Sequence, residues 1–387
     1  MNAIFLNNVI FYNNNFYTEK KNLNTIYLHN RLKDIKYNFI LNDINNINID
    51  LSNCINYGSG IILLHHFHYN PAHNMWDHIY PVWYTLYYNN LNFAKDENFQ
   101  FMTINNLDKV FGISHFNDIK VFSGSIPITK NLLFEKYNTP IIIPWFICGV
   151  ANVGISHIYK NTLCANMGLQ INNIDPVELF VNRFYKRYNI QRNSLHNKES
   201  LKLCNNIIYI INKRPYKGIE KLFEKMNEKY SGKYNFKIID YKNFTFEEQL
   251  KLLNTTCICI VGVGTARFNT PFMPNGAIEI QTFEQYYDNK NNIKYVDYHG
   301  GTISKYIKVK NIPFYTKEEV INSKCSELLE GMINDSINEL PIKIPINVED
   351  NIPNIIKNLK NHKNYDKQFD VWRNNLSNRI DELMDIL

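Results

Sequence analysis

Between residues 205 and 282, short apolar runs alternate with longer amphipathic patterns, and no other feature restricts the fold of this chain as much. "NNIIYIIN", "NFKIIDY", "TCICIVG" and "GAIEIQ" are each of strand length and bounded by polar or turn-forming residues. A run that is apolar throughout, rather than at alternate positions, predicts a strand covered on both faces, as in a parallel sheet between helices. The intervening stretches supply the helices: Lys217 to Tyr230, Thr245 to Leu253 and a short one from Thr265 to Phe272. A parallel neighbour can be reached only by a crossover connection, so this alternation predicts a Rossmann-like half.

Before it the pattern is less regular. "AIFLNNVIFYNNNFYT" reads as a strand, a turn and a strand. From "GSGIILLHHF" onward, strand-length apolar runs alternate with longer helical patterns: Ile61 to Phe67, Met75 to Tyr88, then "FQFMTI", "IKVFSG" and "NLLFEK". That alternation predicts an α/β layer structure with parallel strands. "TPIIIPWFICGVANVGISH" is apolar but carries Pro140, Pro144 and two glycines, and fits neither period. A helix is expected from Asp175 to Tyr188, with Asp175 as N-cap and Pro176 at the first helical position. The polar "KRYNIQRNSLHNKES" is the best linker candidate. Near the C-terminus, Phe369, Trp372, Leu376, Ile380 and Leu383 share one face of one or two helices that can pack back on the domains. The expected division is residues 1–185, 200–345 and 346–387.

Composition narrows the class. Hydrophobic residues make up 45% of the 387, enough for the cores of two domains. The net charge of +6, from 42 basic and 36 acidic residues without a block of like charge, gives no reason to expect a nucleic-acid partner. The bias toward Asn, Ile, Lys, Tyr and Phe follows AT-rich codons, so the asparagine runs carry no chemical weight here. Seven cysteines without a C-x-x-C pair, two of them in the buried run "TCICIVG", suit a reduced intracellular protein. The start lacks a basic n-region and Asn interrupts its apolar stretch, so no signal peptide is expected. No window approaches the roughly 18 apolar residues of a membrane span, and the expected location is cytoplasmic.

In "CICIVGVGTARFNTPFMPNGAIEI", Gly262 and Gly264 stand where a buried strand gives way to a helix. A turn of this kind lets the backbone approach a phosphate, and the first helical N–H groups can hold it. As a dinucleotide fingerprint the run fails, because the third glycine would stand at Arg267, and it lacks the Gly-Lys-Ser/Thr of a P-loop. A tight turn without a ligand is the plain alternative. Arg267 in the first helical turn favours an anion.

From Ile207 to Ile280 the chain resembles the C-terminal half of the family 61 glycosyltransferases, which include plant xylosyltransferases and animal O-linked N-acetylglucosamine transferases. The resemblance rests on Arg214 after a strand, "FTFEEQLKLLN" as an acidic-Gln helix, then Gly264, Asn269, Phe272, Pro274 and Gly276, and Glu279 in the final strand. The chain departs from the family pattern at Val263, where relatives carry a histidine, at Ala266, the second glycine, and at Arg267, an apolar position. Any diphosphate contact made by that histidine in relatives is therefore absent here or passed to Arg267 or Arg214. The resemblance implies a GT-B architecture, two Rossmann-like domains facing a cleft, with a nucleotide-sugar as co-substrate and no essential metal or other cofactor. Together with the reading of the glycine turn, this puts the expected donor against Arg214, Gly262, Gly264, Thr265, Arg267, Asn269 and Glu279, the last, at a strand end, accepting from ribose hydroxyls.

One more stretch calls for chemistry. "HHFHYNPAHNMWDHIYP" holds five of the eleven histidines. As a metal site it fails the H-x-H-x-D-H pattern at Asn70 and Pro71, and no H-E-x-x-H helix is present. As structure, Asn74 caps a helix, Asp77 suits its first turn, and Trp76, Ile79, Tyr80, Trp83 and Leu86 form an apolar stripe. As catalysis, His78 lies off that stripe and can face a cleft, and "HNMWDHIYPVWYTLY" is similar to the family pattern of Asn, His and Pro at a helix start. His78 is the leading base, with Asp77 and His73 behind it. The expected function is a metal-independent, inverting transfer of a sugar from a UDP-linked donor to a hydroxyl on a glycan, protein or small-molecule acceptor. The alternatives are a metal-dependent hydrolase built on His65 to His78 and a noncatalytic carbohydrate-binding relative.

Overall fold

The computed structural model describes residues 4–19, 26–28, 35–37, 40–64, 74–80, 83, 98–103, 116–148, 176–211, 218–262, 265–282, 284–287, 293–297, 306–311 and 324–343. The chain divides into two compact units, Met1–Tyr188 and Asn189–Leu387.

In the first unit, β1 (Ile4–Tyr12) and β2 (Asn15–Thr18) form the expected N-terminal hairpin. Its two-residue loop, Asn13 and Asn14, has φ of 44° and 59°. Asn tolerates this left-handed backbone, which matches the twist of the two strands, so here the asparagine run has a structural use. A separate ribbon pairs β3 (Ile26–Leu28) with β4 (Ile35–Tyr37). The main sheet continues with β5 (Leu41–Asp43), β6 (Ile55–Asn56), β7 (Gly60–Leu64), β8 (Phe99–Thr103), β9 (Ile128–Thr129) and β10 (Ile141–Cys148), in the order β5-β2-β1-β10-β7-β8-β9 with β6 also on β10. The β10-β7-β8-β9 part is parallel, as expected, while β1 runs antiparallel to both β2 and β10. The run that fitted neither period, around Pro144, is thus the central strand. Its register against β1 passes from Asn7↔Trp145 to Val9↔Ile143, and Asn8, opposite Pro144, turns out of the ladder with φ 51°. Proline has no N–H to give, and the left-handed residue across from it absorbs the irregularity.

The runs "IKVFSG" and "NLLFEK" lie in helices, α1 (Phe116–Ser123) and α2 (Lys130–Lys136), the second capped by Thr129, whose hydroxyl accepts from Leu132 N–H at 3.2 Å. α3 (Pro176–Arg187) begins at the proline, where a missing N–H costs nothing. It packs on α1 through Phe122, Phe180 and Phe184, with ring centroids 4.5–5.4 Å apart. Arg183 is buried between them. Its guanidinium carbon lies 4.8–5.1 Å from the Trp83, Phe99 and Phe122 rings, and Nε–H donates to Phe122 O. Cation–π attraction and this bond offset part of the cost of burying the charge.

The second unit has the cleaner pattern and follows the sequence closely. β11 (Asn206–Ile210), β12 (Asn235–Ile239), β13 (Thr256–Gly262), β14 (Ile278–Thr282) and β17 (Lys308–Asn311) form a wholly parallel sheet, in the order β12-β11-β13-β14-β17. A ribbon of β15 (Glu284–Tyr287) and β16 (Ile293–Asp297) lies outside it. β11 and β13 are buried along their whole length, as continuous apolar runs require. α4 (Lys198–Leu203), α5 (Ile219–Lys229), α6 (Phe246–Leu253) and α7 (Lys324–Glu339) are the α-helices among its described residues. α5 starts two residues later than the pattern predicts, because Gly218 takes φ 87° immediately before it. The short helix from Thr265 to Phe272 is 3-10 in form and contains Pro271.

The stretch expected as a linker is folded onto the second unit from Asn189 onward. Asn193 donates two hydrogen bonds to Asn254, from its backbone N–H at 2.7 Å and its amide at 2.8 Å, and Asn254 in turn donates to Gln191 O. Leu195 N–H donates to Asn275 O at 2.9 Å. Polar composition suggested exposure, but these side chains and backbone groups satisfy one another instead. The expected C-terminal helices, 346–387, lie outside the described residues. Among the described residues no helix is long and apolar enough to cross a membrane.

Candidate functional site

The second sheet has a topological switch point. From β11 the chain crosses to β12 on one side and returns to β13 on the other, so the loops after β11 and β13 leave the same sheet end in opposite directions. Ile210 and Val261 are register partners at that end. In open α/β sheets a ligand crevice lies at this position, outside the carboxyl ends of the strands. Arg214 follows Ile210 by four residues and Gly264 follows Gly262 by two. Both lie outside the described residues, whereas Gly262 closes β13 as expected.

The segment Thr265–Phe272 crosses from β13 to β14 and carries the next expected residues. Arg267 and Glu279, twelve positions apart, form a buried pair: Arg267 Nε–H donates to Glu279 Oε1 at 3.2 Å, with side-chain exposures of 7% and 1%. Gln281 Nε2 donates to the same oxygen at 2.6 Å, and the Thr270 hydroxyl to Glu279 Oε2 at 2.6 Å. Glu279, expected to accept from ribose hydroxyls, thus accepts from three protein donors. Its register neighbour Cys259 is fully enclosed, and burial, reinforced by the Glu279 charge, pushes that thiol well above its ordinary range. Cys259 therefore stays neutral and adds no nucleophile.

Asn269 faces α6. Its amide donates to Gln249 Oε1 at 2.8 Å, while Gln249 Nε2 lies 3.2 Å from Tyr241 O and 3.1 Å from Phe244 O. Glu248, one residue earlier, closes a capping box with Thr245. The acidic-Gln pair of the sequence thus has two separable jobs, starting α6 and fastening the 241–244 turn and the Thr265–Phe272 segment to it. Phe272 is buried against Phe246, with centroids 5.5 Å apart. Gly276 has φ 95°, so the backbone there calls for glycine. Arg192 Nη2 lies 3.1–3.2 Å from Pro271 O, Met273 O and Asn275 Oδ1, clasping the turn.

Thr270, Gln281 and Arg192 are residues that sequence reasoning missed. Gln281 stands two positions from Glu279 and so on the same face of β14, a period-2 signal that was there to read. Thr270 and Arg192 gave no such signal, since their partners are fixed by tertiary approach.

In the first unit, Asn74–Ile79 forms a π-helical segment, a rare form often found at functional sites. Asn74, expected as a helix cap, is its first residue and 1% exposed. Trp76, Ile79, Tyr80 and Trp83 are all buried, as the stripe predicts, with Trp76 and Tyr80 both 5.2 Å from Phe180. Asp77 and His78 fall within this segment, and His73 lies outside the described residues, as do His65, His66 and His68. Among the described residues no group of three or more His, Cys, Asp or Glu side chains is placed to hold a metal ion.

A family model described as Glycosyltransferase 61 matches residues 72–280, from just before the π-helical segment to the middle of β14. No curated protein matches the chain.

Proposed function

The chain belongs to glycosyltransferase family 61, and from that premise we propose that it transfers a sugar from a UDP-linked donor to a hydroxyl acceptor, with inversion and without an essential metal. The observation that carries the donor site is the switch point: the strand ends before Arg214 and before Gly264 are side by side. The proposed donor site comprises Arg214, Gly262, Gly264, Thr265, Arg267 and Asn269, with Glu279 beneath them. Two arginines and the N–H groups that open the Thr265–Phe272 segment would neutralise the departing diphosphate, which is why no cation is needed. The first unit is proposed to bind the acceptor.

The step is a single displacement. His78 takes the proton of the acceptor hydroxyl; the oxygen attacks the anomeric carbon from the face opposite the diphosphate. The bond from that carbon to the diphosphate oxygen breaks, its electron pair leaves with the UDP, and the anomeric configuration inverts. Asp77 and His73 are the nearest alternatives for the base.

A panel of nucleotide-sugars and nucleoside diphosphates, read by thermal shift on the full chain, tests this reading. UDP is expected to raise the melting temperature of the wild type and not of Arg214→Ala. His78→Ala should bind UDP normally and fail to transfer. A chain that responds to no nucleotide would instead be a noncatalytic relative, and full turnover by His78→Ala would remove the assigned base.

A further inference from the structure

Arg267, Thr270, Glu279 and Gln281 are all buried, yet nothing about joining a helix to a sheet asks for four polar side chains. Register places Glu279 between Cys259 on β13 and Val309 on β17, neither of which can compensate a carboxylate. All of its side-chain donors come from the Thr265–Phe272 segment and from β14 itself. Apolar residues of the same volume would hold the segment to the sheet as well or better, since the desolvation cost of a buried ion pair commonly offsets its attraction. Adhesion therefore does not account for the cluster.

What apolar residues cannot do is hold a guanidinium in one place and one plane. Both oxygens of Glu279 are engaged, Oε1 by Gln281 and Arg267 and Oε2 by Thr270, so the carboxylate cannot turn away from the arginine. The Thr270 hydroxyl, whose one proton goes to Glu279, also lies 2.9 Å from the Arg267 carbonyl oxygen. The result is a cation fixed in the first turn after β13, its guanidinium tied to a carboxylate near the start of β14. Planar, oriented charge is what arginine offers a phosphate, and orientation before binding is what makes it effective.

We propose that Glu279 is a positioning residue: with Thr270 and Gln281 it holds Arg267 where the guanidinium meets the diphosphate of the donor, and it makes no contact with the ribose. The inference rests on the donor-binding reading above. It also assigns Gln281 and Thr270, which neither composition nor motif singles out, to the same task.

The test is calorimetric titration of the full chain with UDP and with 2′-deoxy-UDP, for the wild type, Arg267→Lys, Glu279→Gln, Gln281→Leu and the Arg267→Lys/Glu279→Gln pair. Loss of one charge-assisted bond corresponds to about tenfold in affinity. Arg267→Lys and Glu279→Gln should each weaken UDP by about that factor, and the double variant should bind no worse than the weaker single. The ratio of UDP to 2′-deoxy-UDP affinity should stay at its wild-type value in Glu279→Gln, because the ribose contact is elsewhere. Gln281→Leu should weaken UDP a few fold with the same ratio, and it decides the matter alone if Glu279→Gln does not fold. Loss of the 2′-hydroxyl preference in Glu279→Gln, or wild-type affinity in both Glu279→Gln and Gln281→Leu, overturns the proposal alone. A wild type that binds neither nucleotide overturns the donor-binding reading, and this inference with it.

Discussion

Removing Glu279 in favour of leucine tests the energetics of the buried cluster directly. The carboxylate is 1% exposed and accepts from Arg267, Gln281 and Thr270 at 3.2, 2.6 and 2.6 Å. Without it the Arg267 charge, 7% exposed, loses its carboxylate in a site with little water. Breaking one side of a buried ion pair costs about 3–5 kcal/mol, most of it the penalty of the charge left behind. At a urea slope of roughly 2–2.5 kcal/mol/M, that moves the unfolding midpoint down by about 1.2–2.5 M. Arg267→Leu should cost a similar amount. The double variant, Arg267→Leu/Glu279→Leu, should recover to within about 1–3 kcal/mol of the wild type, the remainder being the Gln281 amide without its acceptor. Urea unfolding followed by far-ultraviolet circular dichroism measures all three. Single-variant losses below about 1 kcal/mol would show that the pair behaves as a solvated surface pair, and strictly additive losses would show that the two residues are not coupled.

Two further expectations concern the first unit. A Cβ at Gly60 would overlap the indole of Trp145 on the neighbouring strand β10; Gly60→Ala should therefore cost about 1–3 kcal/mol and shift tryptophan emission to the red, and an unchanged spectrum and midpoint would refute the packing. Burial pushes the Asp118 carboxyl up to about 6, against the pull of the bond from Tyr188 at 2.6 Å. A raised acid favours the folded state fully below its unfolded value of about 3.9, and that contribution, on the order of 2–3 kcal/mol, is lost as pH rises through 6. Asp118→Asn keeps an acceptor for Tyr188 and does not titrate, so its melting temperature should not fall between pH 4 and 6; a profile parallel to the wild type would refute the assignment.

How legible the chain was in advance differs between its units for a physical reason. In the second, strands β11 to β14 and helices α5 and α6 follow apolar runs and helical periods that involve only near neighbours. The capping box at Thr245 and Glu248 is likewise local. In the first unit the central strand β10 escaped recognition because Pro144 is a poor strand residue on its own. It is acceptable only beside Asn8, more than a hundred positions away, which turns aside to meet it. The boundary between the units falls inside the expected linker, but its contacts were not legible, since Arg192 and Asn193 look solvated until Asn275 and Asn254 come within reach.

Sequence alone determined that this chain contains buried parallel strands joined by helices, that Thr245 and Glu248 cap the start of α6, and that Arg267 follows the strand ending at Gly262. These are matters of period, propensity and capping, settled within a few residues. Tertiary structure alone decided that β13 lies beside β11 and not beyond β12, which creates the switch point, and that the Arg267 guanidinium meets Glu279 rather than solvent. An apolar pattern states that a face must be covered. It does not state by what, because any partner of the right shape would satisfy it, and only the crossover and the strand register choose one.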